Sequence, residues 1–149
     1  MSRSDRCDPE LWAGAVEGPD GSTTHPTFRR GLELAGRRAL SSAETGELWL
    51  DLGCGTGVLT RSLARARLRV IAADVDPAML RFALRASPAA VRPVAADAAR
   101  LPIADGVCDG VAAVSLVGHF PDPSPLLGEC ARVLRPGGRL VVTATNRAS

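Results

Sequence analysis

Three aspartates, three glycines, a serine and a histidine carry the chemistry legible in this chain. Gly53, Gly55 and Gly57 stand at alternating positions after Leu50-Asp51-Leu52, with Cys54 and Thr56 between them. Glycine accepts positive φ and has no side chain to hold a ligand away from the backbone. An apolar run, Leu48-Trp49-Leu50, precedes the glycines, and a helical pattern from Val58 follows them. The free N–H groups and positive dipole end of that helix would face whatever occupies the turn. Such a turn is a cradle for a nucleotide-like cofactor.

Asp74 follows Gly53 by about twenty residues, at the end of a second apolar run. A carboxylate there can accept hydrogen bonds from both hydroxyls of a ribose. Asp76, directly before Pro77, is the better helix cap, which leaves Asp74 for a ligand. Asp97 ends a third run; it can accept from an exocyclic amine, while the Ala98 N–H donates to a ring nitrogen. Ser115 ends a fourth run and leads to His119. His119 is the candidate general base, because an imidazole titrates near neutral pH. The alternative is that it only packs or hydrogen-bonds near the cofactor. His25 could reach the same pocket from the N-terminal segment.

These positions need a scaffold that brings strand ends to one edge. The chain supplies it. A helix is predicted over 27–40, with Phe28, Leu32, Ala35 and Ala39 on one face. Strands are predicted over 47–52, 68–73, 90–95, 107–115 and 139–145, and helices over 58–66, 77–86 and 125–134. Leu126, Leu127, Cys130, Val133 and Leu134 would face inward from the last helix. Arg135-Pro136-Gly137-Gly138 reads as a tight turn, and Pro93 suggests that the third strand lies at an edge. Strand–helix alternation argues for an α/β fold with a doubly wound sheet. Ligands then sit at the carboxyl ends of the strands. Asp109, at the opposite end, reads as structural. Residues 1–26 form a loop-rich segment around Trp12, and 27–149 form the domain.

Composition narrows the partners. The 149 residues suit one domain at most, with 46% apolar and 23% charged residues. A net charge of +2 is too small to imply nucleic acid or a membrane surface. Arg61, Arg65 and Arg69 read as a solvated face. No apolar run is long enough to span a bilayer, and the polar start lacks a secretory signal. Cys7, Cys54, Cys108 and Cys130 have no metal-ligand spacing and read as reduced thiols of a cytoplasmic protein.

The ordered segments resemble the class I S-adenosylmethionine-dependent methyltransferases that act on small molecules. Leu50-Asp51-Leu52-Gly53-Cys54-Gly55-Thr56-Gly57 is similar to the family's first motif. Ala73-Asp74-Val75-Asp76-Pro77-Ala78-Met79-Leu80 is similar to its second. Ala96-Asp97-Ala98 with Leu101-Pro102, Cys108-Asp109-Gly110-Val111, and Arg132 to Leu140 around Pro136-Gly137-Gly138 complete the likeness, which covers about 45–145. The resemblance implies a Rossmann-like, mainly parallel sheet of order 3-2-1-4-5. It implies S-adenosylmethionine as cofactor, held by Asp51, Gly53, Cys54, Gly55, Gly57, Asp74, Val75, Asp97, Ala98 and Ser115. Asp51 would hold the cofactor's amino group through water. Met79 and Leu80 read as core, with a neighbouring side chain walling the adenine. Methyl transfer to a small-molecule acceptor, with no metal, is the implied reaction.

The sequence departs from the family after the fifth strand, where the usual helix and C-terminal hairpin are absent. Leu140-Val141-Val142 would then lie on an exposed edge. A truncated or split product, a second copy or partner chain over that edge, or a domain that binds cofactor without efficient catalysis would each account for this. A nicotinamide-dependent oxidoreductase is the remaining alternative, against which the Gly53-x-Gly55-x-Gly57 spacing speaks. The segment 115–121 lacks the signature of enzymes that methylate base amines.

Overall fold

In the computed structural model, which describes residues 26–86 and 89–144 (26–28 and 86 by backbone only), helices and strands alternate as the pattern predicts. Helix α1 spans Pro26–Leu40, β1 Leu48–Leu52, α2 Val58–Arg65, β2 Arg69–Asp74 and α3 Pro77–Ala83. Then come β3 Val91–Ala95, β4 Cys108–Val114, α4 Ser124–Val133 and β5 Leu134–Thr143. Short 3-10 turns at Leu84–Ala86 and Val117–His119 follow α3 and β4. Trp12, His25, the Phe28 side chain and Thr145 lie outside this description.

All strand pairs are parallel, in the order β3-β2-β1-β4-β5. β1 lies at the centre, so its side chains alternate between two cores. Trp49 joins Ala35, Ala39, Leu59 and Leu63 on the α1/α2 face. Leu50 and Leu52 join Val111, Leu126, Cys130 and Val133 on the α4 face. Each large apolar side chain buried this way contributes about 1.5–3 kcal/mol. Trp49 fits because β4 carries Gly110 beside it; a Cβ there would lie 2.3 Å from the indole ring. Cys108 and Cys130 are buried in the α4-side core, and Cys54, Cys108 and Cys130 are all free thiols.

The caps explain the helix starts. Asp76 is extended and its Oδ1 accepts the Ala78 N–H at 2.8 Å, with Pro77 in the first helical position. Pro93 lies on β3, which pairs only with β2 among the described strands and so tolerates a missing N–H.

Two expectations need correction. Residues 135–138 do not precede the last strand; they are an insertion within it. β5 begins at Leu134, directly after α4, with Leu134 opposite Cys108 and Arg139 opposite Gly110. Four residues of β5 therefore stand against Asp109 alone. Asp109 anchors this irregularity: its carboxylate accepts from the Leu48 N–H at 2.7 Å and from Arg135. Gly138 is required here, since a Cβ would meet the Arg135 carbonyl oxygen and Leu134 Cδ2 at 2.9 Å. Second, Leu127 is exposed at 37%, because it lies off the inward face defined by Leu126, Cys130 and Val133. Leu140 and Val142 are also exposed, on a strand that pairs only with β4 among the described residues.

Candidate functional site

The glycine turn lies between the end of β1 and the start of α2. The Gly53 and Cys54 N–H groups both donate to the Ala73 carbonyl, at 2.8 and 3.0 Å, tying the turn to β2. Gly53, Gly55 and Gly57 have φ of +69°, +53° and +88°, and the three do different work. A Cβ on Gly53 would touch Leu116 at 2.8 Å, and one on Gly57 would touch Ala83 of α3 at 2.9 Å. A Cβ on Gly55 would meet nothing within 4 Å. Gly53 and Gly57 thus permit close packing, while Gly55 borders open space.

That space is a cavity lined by Leu32, Asp51, Gly53, Cys54, Gly55 and Met79, with Thr56, Val58, Leu59 and Val114 completing its wall. Helix α1 roofs it through Leu32. Met79 belongs to both readings, being buried and also lining the cavity. Asp51 supplies its negative group. The side chain is 2% exposed, and its Oδ2 accepts from the Thr60 hydroxyl at 2.6 Å. Burial pushes the Asp51 carboxyl up to about 6, aided by the nearby Asp74 charge and opposed by Thr60. Burial and the same two carboxylates push the Cys54 thiol far above its usual range, so it stays protonated.

Asp74 is half-buried at the end of β2. Its Oδ2 accepts the Gly55 N–H at 3.0 Å and its Oδ1 accepts the Asp76 N–H at 3.0 Å. It is therefore already tied to the glycine turn, and with the Val75 N–H also beside it the carboxylate keeps part of its acceptor capacity for a ligand hydroxyl. Burial raises its carboxyl above the usual range, against those backbone N–H groups. Val75 is exposed beside it. Asp97 is exposed; its Oδ1 accepts the Ala99 N–H at 2.9 Å and its carbonyl accepts the Arg100 N–H, closing a small turn. The Ala98 methyl is buried in the α4-side core.

Ser115 adopts φ +54° just past β4, a strained value for a non-glycine residue. Its N–H donates to the Thr143 carbonyl at 3.0 Å and hydroxyl at 3.1 Å. Gly31 of α1 lies over both hydroxyls, where a Cβ would stand 3.7 Å from Thr143 Oγ1 and 4.0 Å from Ser115 Oγ. His119 ends the following 3-10 turn, exposed, and does not line the cavity. The structure thus gathers Asp51, Gly53, Cys54 and Gly55 at the cavity, with Asp74 bonded to its rim. It leaves Val75, Asp97, Ala98, Ser115 and His119 outside the cavity wall, with Gly57 beneath the turn. Thr60 and Thr143 escaped the sequence reading, and Leu32 entered it only as part of a helix face. Thr60 and Leu32 lie on amphipathic helices, where such residues signal only a face.

A doubly wound parallel sheet with a glycine turn and acidic strand ends defines a cofactor-binding domain of the nucleotide type. Comparison with known proteins places it further. Residues 50–142 match the model of the family described as "Methyltransferase domain", and the chain belongs to that family. It is 33% identical over 120 residues to a ubiquinone biosynthesis O-methyltransferase of Xanthomonas oryzae, covering 78% of this chain and 46% of that protein. It is 44% identical over 119 residues to a demethylmenaquinone methyltransferase of Mycolicibacterium vanbaalenii, covering 76% and 50%. The chain thus spans about half the length of these curated relatives. Among solved structures, a Haemonchus contortus phosphoethanolamine N-methyltransferase 2 bound to phosphomonomethylethanolamine and S-adenosylhomocysteine superposes with a TM-score of 0.70. The identity there is 27%, over 77% of this chain and 28% of that one.

Proposed function

We propose that this domain binds S-adenosylmethionine and directs its methyl group to a small-molecule acceptor. The carrying observation is the pairing of a buried acidic wall with open space at Gly55. A cationic, adenosine-bearing group fits these residues. Asp51 offers an anion to an ammonium group in a nearly water-free wall, where attraction is strong. Asp74 keeps acceptor capacity for ribose hydroxyls. The turn at Asp97 and Ala98 offers a carboxylate and an N–H to adenine, and Val75 and Ser115 flank these contacts. A nicotinamide cofactor has no ammonium for Asp51 to hold.

When bound, the cofactor supplies an electrophilic methyl on a sulfonium that is already a good leaving group. The chain's own task is alignment, which can be worth ~7–11 kcal/mol. The glycine turn and the α1 roof fix one reactant and keep water out. His119 stands on the same sheet edge and is the candidate base for an acceptor hydroxyl. The two curated relatives are named for ubiquinone biosynthesis and for demethylmenaquinone, which makes an aromatic ring or its hydroxyl the acceptor of choice. Among the described residues no helix is long and apolar enough to cross a membrane.

Activity against a panel of phenolic acceptors, followed by radiolabelled methyl transfer, tests the reading. His119→Ala is expected to lower kcat about 100-fold with a hydroxyl acceptor, with cofactor affinity unchanged. An unchanged kcat and pH profile would remove His119 from the chemistry. Absence of transfer to any acceptor, with cofactor binding intact, would leave a binding domain without catalysis.

A further inference from the structure

One polar pair lies away from the cavity yet reaches the segment that carries Asp97 and Ala98. Arg132, near the end of α4, forms a forked ion pair with Glu129, through Nε at 2.8 Å and Nη2 at 2.9 Å. The same guanidinium donates to the Leu101 carbonyl at 3.0 Å, the Ile103 carbonyl at 2.7 Å and Asp105 Oδ1 at 2.7 Å. Glu129 Oε2 in turn accepts the Leu101 N–H at 2.7 Å. The Arg132 carbonyl accepts the Gly106 N–H at 2.9 Å. One residue pair therefore fixes the backbone between β3 and β4 at four places. The short turn from Asp97 to Arg100 hangs directly from this clamp at Leu101.

We infer that Glu129 and Arg132 are positioning residues that hold the Asp97–Ala98 turn in the shape required to read an adenine edge. The inference rests on the cofactor reading above. Neither side chain bonds to Asp97 or Ala98; they act through Leu101, whose N–H and carbonyl they hold together. Asp97 points its side chain into solvent and closes only its own turn, so nothing else on that side chain sets its direction. Ala98 and Leu101 are buried, which fixes depth, but apolar burial is not directional. The five-donor fork of arginine is what lets one residue span Leu101, Ile103, Asp105 and Glu129 together. Lysine has a single point charge and cannot.

The test is titration calorimetry of the wild-type chain, Arg132→Lys and Glu129→Gln with S-adenosylhomocysteine and with its 6-oxo (inosine) analogue, alongside thermal unfolding. The wild type is expected to prefer the adenine form by about tenfold or more, since its base contacts are polar. In both variants the adenine form loses about tenfold, the 6-oxo form changes little, and the preference approaches one. Asp105→Asn removes only the exposed arm and is expected to cost less than about threefold. A structural role alone would weaken both ligands equally or lower only the unfolding temperature; either result, or an unchanged preference, overturns the inference. If Arg132→Lys does not fold, Glu129→Gln, which leaves the guanidinium–carbonyl bonds in place, decides. A wild-type chain that binds neither compound refutes the cofactor reading itself, and this inference with it.

Discussion

Replacing Asp51 with asparagine is expected to stabilise the domain at pH 8 while weakening cofactor binding. The two effects share one cause. Asp51 is 2% exposed, and its folded carboxyl titrates at about 6 rather than 3.8. A raised carboxyl value means folding favours the protonated form. The contribution to stability is therefore full below the unfolded value and is lost as pH rises through the folded one. At ~1.4 kcal/mol per unit, the ionised side chain costs about 3 kcal/mol above pH 7. Asparagine keeps an oxygen for the Thr60 hydroxyl and carries no charge. The stability difference between variant and wild type should be near zero at pH 4, grow between pH 4 and 6, and stay constant above. Urea unfolding at several pH values measures it. At pH 8, where the wild-type carboxylate is ionised, the variant should bind S-adenosylhomocysteine about 10- to 100-fold more weakly, the worth of a charge-assisted hydrogen bond, and the difference should shrink as pH falls toward 4. A variant no more stable at pH 8 than at pH 4, relative to wild type, would contradict the buried anion.

The second large effect separates two glycines of one turn. Gly57→Ala puts a methyl 2.9 Å from the Ala83 Cβ and 3.1 Å from its Cα, at φ +88°. Backbone atoms of a packed helix cannot yield as a flexible side chain does. Left-handed strain of about 1–2 kcal/mol and overpacking of about 1–3 kcal/mol add, giving a loss of ~2–5 kcal/mol. Gly55→Ala has φ +53° and meets nothing within 4 Å, so about 1–2 kcal/mol of strain is all that folding loses. Its methyl enters the ligand space, however, and binding should fall about tenfold or more. Denaturant unfolding and ligand titration on the two variants give the ordering. Gly55→Ala as the less stable variant, or Gly57→Ala as the weaker binder at equal folded fraction, would reverse the assignment.

These two predictions also mark what the sequence could and could not reveal. The alternation of apolar runs and helical stripes is local, so parallel pairing and the Asp76-Pro77 cap were legible in it, whereas the strand order came only with the family resemblance. The glycine triplet was legible as a turn, but not its division of labour, because that depends on Leu116 and Ala83, residues distant along the chain. Thr60 as the partner of Asp51 had no signal beyond a polar residue on an amphipathic helix. The 135–138 segment read as a turn before a strand because Pro-Gly-Gly breaks any local pattern. The structure resolves it as an insertion opposite Asp109, a matter of pairing between strands rather than of propensity. Leu32 read as core; it is partly buried against the α1/α2-side core and also lines the cavity. His119 had the right chemistry in the right loop, and only the fold shows that it stands outside the cavity wall.

The central claim is that the glycine turn and Asp51 hold S-adenosylmethionine. Titration calorimetry of the wild-type chain with S-adenosylhomocysteine at pH 7.5, with NADH as competitor, tests it most directly (order-of-magnitude affinity, micromolar or tighter, about −8 kcal/mol). The account predicts saturable one-to-one binding that NADH does not displace. No saturable heat, or displacement by NADH, would contradict it.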